Sequence, residues 1–254
     1  MDERRVSGLA PGVSLGEAQW PWRGLYRSAG VAAILFVALL LLALVVDFVS
    51  PPPVDGGAAT LEFIAANKEP YIAEQILWIL PGILPVILFL ALFVALAPLG
   101  RSSALVATVV AGLPWALLLA VPVSSRGSLS LVYLSDRYVA ARSAGERGVF
   151  ATAAEAIIAE NNTPTIAGLL SPVGIFLVSA VMLKGVMPRV VAWLGLATGA
   201  LGVVSEALRF AAPEFYWGYG LLLWAWFIAV GVSLLRLQPG PPEGNAAPAS
   251  KLSP

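Results

Sequence analysis

From Gln75 to Gly100 the chain carries no charged side chain, and Glu74 and Arg101 bracket the stretch. A run of that length exceeds the roughly 20 apolar residues that cross a hydrocarbon core of about 30 Å. Inside hydrocarbon the backbone must satisfy its own hydrogen bonds, so the run predicts a transmembrane helix, over about Ile72–Leu99. Five more runs follow the same pattern: about Ala29–Val49, Ser102–Ser125, Thr165–Leu183, Val190–Phe210 and Tyr216–Leu235. Only 12% of the residues are charged and 59% are hydrophobic, whereas an ordinary soluble domain is about 25% charged. The expected fold class is therefore all-α, a polytopic membrane protein with six transmembrane helices. Residues 1–28 form the expected N-terminal segment, 29–236 the membrane domain, and 237–254 a Pro-rich polar tail expected to be disordered.

Loop charges predict the orientation. With the N-terminus inside, the inner segments hold Arg4, Arg5, Arg23, Arg27, Arg101, Lys184, Arg189, Arg236 and Lys251. The acids on that side are Asp2, Glu3, Glu17 and Glu243. Short basic loops belong on the cytoplasmic side, which places both termini in the cytoplasm of a prokaryotic plasma membrane. Trp20, Trp22, Tyr26 and Trp193 then fall at the inner interface, and Tyr71, Trp78, Tyr216, Trp217 and Tyr219 at the outer one, as an aromatic belt would. Arg4-Arg5 is a twin arginine, but the first apolar run starts far downstream and leads into Pro51-Pro52-Pro53. That run reads as a retained span, not a cleaved signal.

Two outer segments are longer than turns. Residues 50–71 open with the proline triplet and continue "TLEFIAANKEP", a short helix closed by Pro70. Residues 126–164 predict a helical hairpin over the outer mouth, a cap that serves as a lid or as a connector. "SLSLVYLSDRYVAAR" would extend the third helix beyond the membrane. Ser143 and Glu146 then form a capping-box pattern. Behind them Val149, Phe150, Ala153, Ile157 and Ile158 recur at helical spacing opposite Glu155 and Glu160, until Asn161, Asn162 and Pro164 stop the helix.

The chain has neither Cys nor His. Thiol nucleophiles, Cys/His zinc sites, His-ligated haem and Ser-His-Asp triads are thereby excluded. No Gly-Lys-Ser/Thr phosphate loop is present. Zero formal net charge gives no basic balance for nucleic acid. The middle of the predicted membrane layer holds no charge, which offers neither a general base nor an ion relay. No cofactor, catalytic residue or metal site is expected, and the chain reads as not an enzyme.

The segment "SEALRF", residues 205–210, carries the main candidate site. Glu206 lies about 25 Å along span five from Arg189 at 1.5 Å per residue, just inside the outer edge of the core. Arg209 follows at i+3 on the same helix face. Both Glu206 and Asp47 sit at the partly negative C-terminal ends of their helices, where an acid needs a partner; Glu74 sits at a favourable N-terminal end. Arg209, Arg126 or a cation could supply the partner. Asp47, Glu74, Gln75, Glu206 and Arg209 are thus candidates to line an outer polar pocket between spans one, two and five, with Tyr71 and Trp78 at its edge. The alternative is a set of solvated or paired helix ends.

Pro81 and Pro85 share one face of span two and free the carbonyls of Leu77 and Pro81, as a kink for packing or a hinge. Gly195, Gly199 and Gly202 form a small-residue stripe on span five, for packing within the monomer or a dimer contact. Trp224 and Trp226 lie near mid-membrane, as core filling or a cavity lining.

The order of features resembles a known group. A basic lead precedes span one, "FIAANKEPYIAEQ" fills the first outer loop, and "LSDRYVAARSAGERGVFATAAEAIIAENN" follows span three. Then comes "LLSPVGIFLVSAVMLKGVMPRVVAWLGLATGALGVVSEALRF". This is similar to the prokaryotic integral membrane proteins grouped as domain of unknown function 4386, over roughly residues 22–236. The resemblance implies the six-helix fold and carries no functional residue with it. Three functions remain open. The first is a non-enzymatic module binding a lipid, a hydrophobic small molecule or a membrane protein partner at its outer half. The second is a small transporter or channel with an acidic outer mouth, and the third an enzyme acting on a lipid or isoprenoid.

Overall fold

A computed structural model of the chain describes residues 22–49, 56–120, 123–124, 127–212 and 214–237. Arg4, Arg5, Trp20, the proline triplet, Arg126 and the Pro-rich tail lie outside the described residues. Among those described, six helical stretches are long and apolar enough to cross a membrane.

Span one is α1 (Arg23–Val49), and the short α2 (Gly57–Ala66) follows it. Span two is α3 (Lys68–Ile79), a 3₁₀ turn (Leu80–Gly82), α4 (Ile83–Leu96) and a second 3₁₀ turn (Ala97–Leu99). Span three is α5 (Arg101–Leu118). A two-residue antiparallel ribbon pairs β1 (Val123–Ser124) with β2 (Gly127–Ser128). Then come α6 (Ser130–Ala140) and α7 (Ala144–Asn162), and spans four to six are α8 (Ile166–Met182), α9 (Arg189–Ala207) and α10 (Phe215–Arg236).

The spans close into a ring in chain order. Each packs on the next, and α10 packs back on α1. The middle of the ring is filled, not open. Phe36 of α1 lies 4.7 Å from Phe227 and 5.1 Å from Trp115, centroid to centroid. Phe89 of α4 stacks on Trp226 at 6.2 Å, and Trp226 meets Phe227 edge-on at 5.4 Å. Edge-on and offset ring pairs of this kind add roughly 0.5–1.5 kcal/mol each beyond area burial. Trp226 is thus core filling, the first of its two readings.

Span five meets span four through its glycines. A Cβ on Gly199 would stand 2.6 Å from both the Pro172 carbonyl oxygen and Phe176 Cβ. A Cβ on Gly202 would meet Pro172 and Tyr219, and one on Gly195 would overlap Ser179 Oγ and Trp226 Nε1. The stripe therefore works inside the monomer, where it lets two backbones approach. Pro81 and Pro85 are both buried, at and just past the 3₁₀ turn that interrupts span two.

The cap holds more than the expected hairpin. Helix α2, from the first loop, packs on both α6 and α7 from the third. The three enclose a core of their own, Leu61, Ile64, Leu131 and Ala154 with Tyr71 of α3, separate from the bundle core. Ser135 Oγ donates to the Leu61 carbonyl at 2.7 Å, Tyr138 OH to Glu62 at 3.0 Å, and Lys68 pairs with Asp136 at 2.7 Å. Ser143 does cap α7, accepting the Glu146 N–H at 3.2 Å, and α7 ends at Asn162 as expected.

Several expectations need correction. Helix α5 stops at Leu118, well short of Ser125, and α6 is a separate helix beyond the ribbon. Pro70 opens α3 instead of closing α2. It occupies the third helical position, where its missing N–H has no intrahelical partner to lose. Asn67 ends α2. Tyr26 and Tyr71 are buried at 1% and 2% exposure, so neither belongs to an interfacial belt. Val149 faces outward, and Ala154 takes the buried place on α7.

Candidate functional site

Glu206 is 3% exposed near the C-terminal end of α9, the wrong end of its own helix for an acid. Its neighbour resolves the mismatch. Spans four and five run antiparallel, so the end of α9 lies beside the start of α8. Glu206 Oε1 accepts the backbone N–H of Thr165, the residue that caps α8, at 2.7 Å. The carboxylate thereby satisfies a donor at the partly positive end of another helix. Gly168 makes the approach feasible: a Cβ there would stand 2.6 Å from Glu206 Oε1.

Arg209 completes the arrangement. Its Nη1 stands 3.4 Å from Glu206 Oε1 and 3.3 Å from the Tyr216 hydroxyl. Its Nη2 donates to the Asn161 carbonyl at 2.9 Å, in the last turn of α7. The guanidinium also lies 5.1 Å from the Tyr216 ring centroid. One i,i+3 pair thus holds the C-terminal end of α7 with a cation and the N-terminal end of α8 with an anion. Those two ends flank the joint where the cap enters span four.

The other candidates stand elsewhere on the cap side. Asp47 is buried near the end of α1, and Glu74 and Gln75 are buried on α3, which packs on α1 and on the ribbon. Tyr71 OH bonds both the N–H and the carbonyl of Ser128, at 3.1 and 3.2 Å. A Cβ on Gly127 would meet Tyr71 OH and Gln75 Nε2. This second polar locus ties span two to the ribbon after span three. Trp78 is half-buried against the bundle core. Every contact described for Glu206 and Arg209 comes from α7, α8, α9 or α10. In the ring, span five neighbours four and six, with six between it and span one.

The sequence reading did not foresee Thr165, Gly168, Asn161 and Tyr216 as the neighbours of Glu206 and Arg209. A signal existed. Thr165 with Gly168 three residues later has the spacing of an N-cap, and its side chain does accept the Gly168 N–H at 2.9 Å. Pairing the last turn of one span with the first turn of the antiparallel span before it would have found the contact.

No group of three or more acidic side chains able to hold a metal occurs among the described residues. The arrangement defines a six-span integral membrane protein with a helical cap. The chain belongs to the family described as domain of unknown function DUF4386, whose model matches residues 31–236. No curated protein and no solved structure matches it.

Proposed function

We propose that this protein is a non-enzymatic membrane module that engages a partner protein through its three-helix cap, on the outer face of the membrane. The observation that carries this reading is the cap's own core, built from helices of two separate loops. A plain connector between spans needs no core shared between loops. The cap also presents apolar side chains to water, with Tyr133, Val139 and Val149 each about 60% exposed or more on α6 and α7. Arg23, Arg27, Arg101, Lys184, Arg189 and Arg236 all lie at helix ends away from the cap, which supports a cytoplasmic location for that side.

The test is site-specific photocrosslinking in native membranes, with the probe at Val149 or, as a control, at Leu221 on the flank of the bundle. A discrete adduct from Val149 alone, lost on Val139→Asp, is the expected result. Identical adduct patterns from both positions would overturn the reading. Solute flux in liposomes that depends on Glu74 would replace it with transport.

A further inference from the structure

On the side away from the cap, spans one and two leave a shallow, open groove of about 430 Å³ between them, with Arg27, Ser28, Val31, Leu35, Leu84 and Ile87 in its lining. Its composition is graded. Arg27 and Ser28 stand at one end, and only apolar side chains follow. Arg27, Val31 and Leu35 recur at i, i+4 and i+8, so they form one stripe along α1. The stripe climbs about 12 Å from Arg27 to Leu35 at 1.5 Å per residue. Arg27 itself is one turn in from the start of the helix, and its apolar stripe runs on toward the middle of the span.

Arg27 is exposed, and no hydrogen bond or ion pair to it occurs among the described residues. It also stands near the partly positive end of α1, where a cation is disfavoured and an anion is welcome. A cation so placed calls for a counter-charge. The groove beyond it suits a flexible apolar chain, because Val31 at 52% and Leu35 at 45% exposure leave much of their surface open to it.

We propose that this groove binds an anionic glycerophospholipid, with its phosphate on Arg27 and one acyl chain along Val31, Leu35, Leu84 and Ile87. The site lies in the leaflet opposite the cap and is independent of the cap's proposed partner. Charge complementarity selects the headgroup. The stripe leads away from Arg27 toward the middle of the span, the direction in which an acyl chain leaves its phosphate.

Native mass spectrometry of the full chain tests this, with equimolar phosphatidylglycerol and phosphatidylcholine of the same acyl chains in mild detergent. The expected result is about a fivefold excess of bound phosphatidylglycerol, the size of one well-placed arginine near an anionic headgroup. Arg27→Gln should bring the two lipids to parity, and Arg27→Lys should keep most of the preference. Arg189→Gln removes a cation from the same side of the bundle but from span five, and should change nothing. Val31→Trp should lower retention of both lipids by filling the slot. Equal retention by the wild type, or a preference that survives Arg27→Gln, would overturn the proposal. So would a preference lost equally in Arg189→Gln, or retention untouched by Val31→Trp. Inorganic phosphate bound through Arg27 with no lipid preference would also overturn it, since the site would then read the anion alone.

Discussion

The carboxylate of Glu206 and the backbone N–H of Thr165 stand 2.7 Å apart, which joins the last turn of span five to the first residue of span four. The bond places an anion on a helix N-terminus from a helix C-terminus. It uses antiparallel packing to turn an unfavourable position into a favourable one.

Glu206→Gln keeps the shape of the side chain and an oxygen for Thr165, but removes the charge that faces Arg209. The expected cost is about 2 kcal/mol, between a neutral hydrogen-bond loss and a broken buried pair. Arg209→Leu should cost a similar amount. In a double-mutant cycle the pair should show a coupling of about 1 kcal/mol or more. Thermal unfolding in mild detergent measures both; additive losses would mean that the two side chains act separately.

Gly168→Ala puts a methyl group 2.6 Å from the Glu206 carboxylate. The expected loss is about 1–3 kcal/mol, the usual range for overpacking. Gly148→Ala on α7 meets nothing within 4 Å, so it should be neutral or stabilising by up to about 1 kcal/mol. Paired melting curves of the two variants separate a packing constraint from helix propensity.

Leu61→Ala empties part of the cap core without touching the bundle core. Truncation of a fully buried leucine costs about 2–5 kcal/mol. The loss should appear as faster amide hydrogen exchange in α2, α6 and α7, with α4, α8 and α10 unchanged. Uniform acceleration across the chain would show that cap and bundle unfold as one unit.

Tyr138 donates its hydroxyl to Glu62 outside the membrane spans. The hydrogen bond to that carboxylate raises the phenol above the ordinary tyrosine range. A raised value means that the stabilising contribution is complete below the unfolded tyrosine value and fades as pH climbs through the folded one. The ultraviolet difference spectrum between wild type and Tyr138→Phe should therefore titrate late, and Glu62→Gln should bring the transition back down.

Much of the fold was legible because hydrocarbon leaves little freedom. Six apolar runs bounded by charges predicted six spans, and Ser143 with Glu146 predicted the start of α7. Their ends were less legible. Pro70 looks the same in sequence whether it closes one helix or opens the next, and only the break at Asn67 decides. The short helix α2 was expected but its place in the cap was not, because it finds its core partners Leu131 and Ala154 in a distant loop, a pairing that local periodicity does not encode. The candidate site was legible in part. The depth of Glu206 and its i,i+3 relation to Arg209 follow from one helix, while Thr165, Gly168 and Asn161 depend on which span lies alongside. The need for a partner was correctly read; the partner turned out to include a backbone.

The closed ring has a consequence for how the chain is made. Phe36, Phe89 and Trp115 arrive with the first three spans, but Trp226 and Phe227 come only with the last. Until then the centre of the bundle lacks Trp226, its largest fully buried side chain, and Gly30 of α1 lacks Gly231 and Leu235, against which it finally packs. A nascent polypeptide halted after span five is thus an open horseshoe whose first helix still waits for a neighbour that the ribosome has yet to deliver.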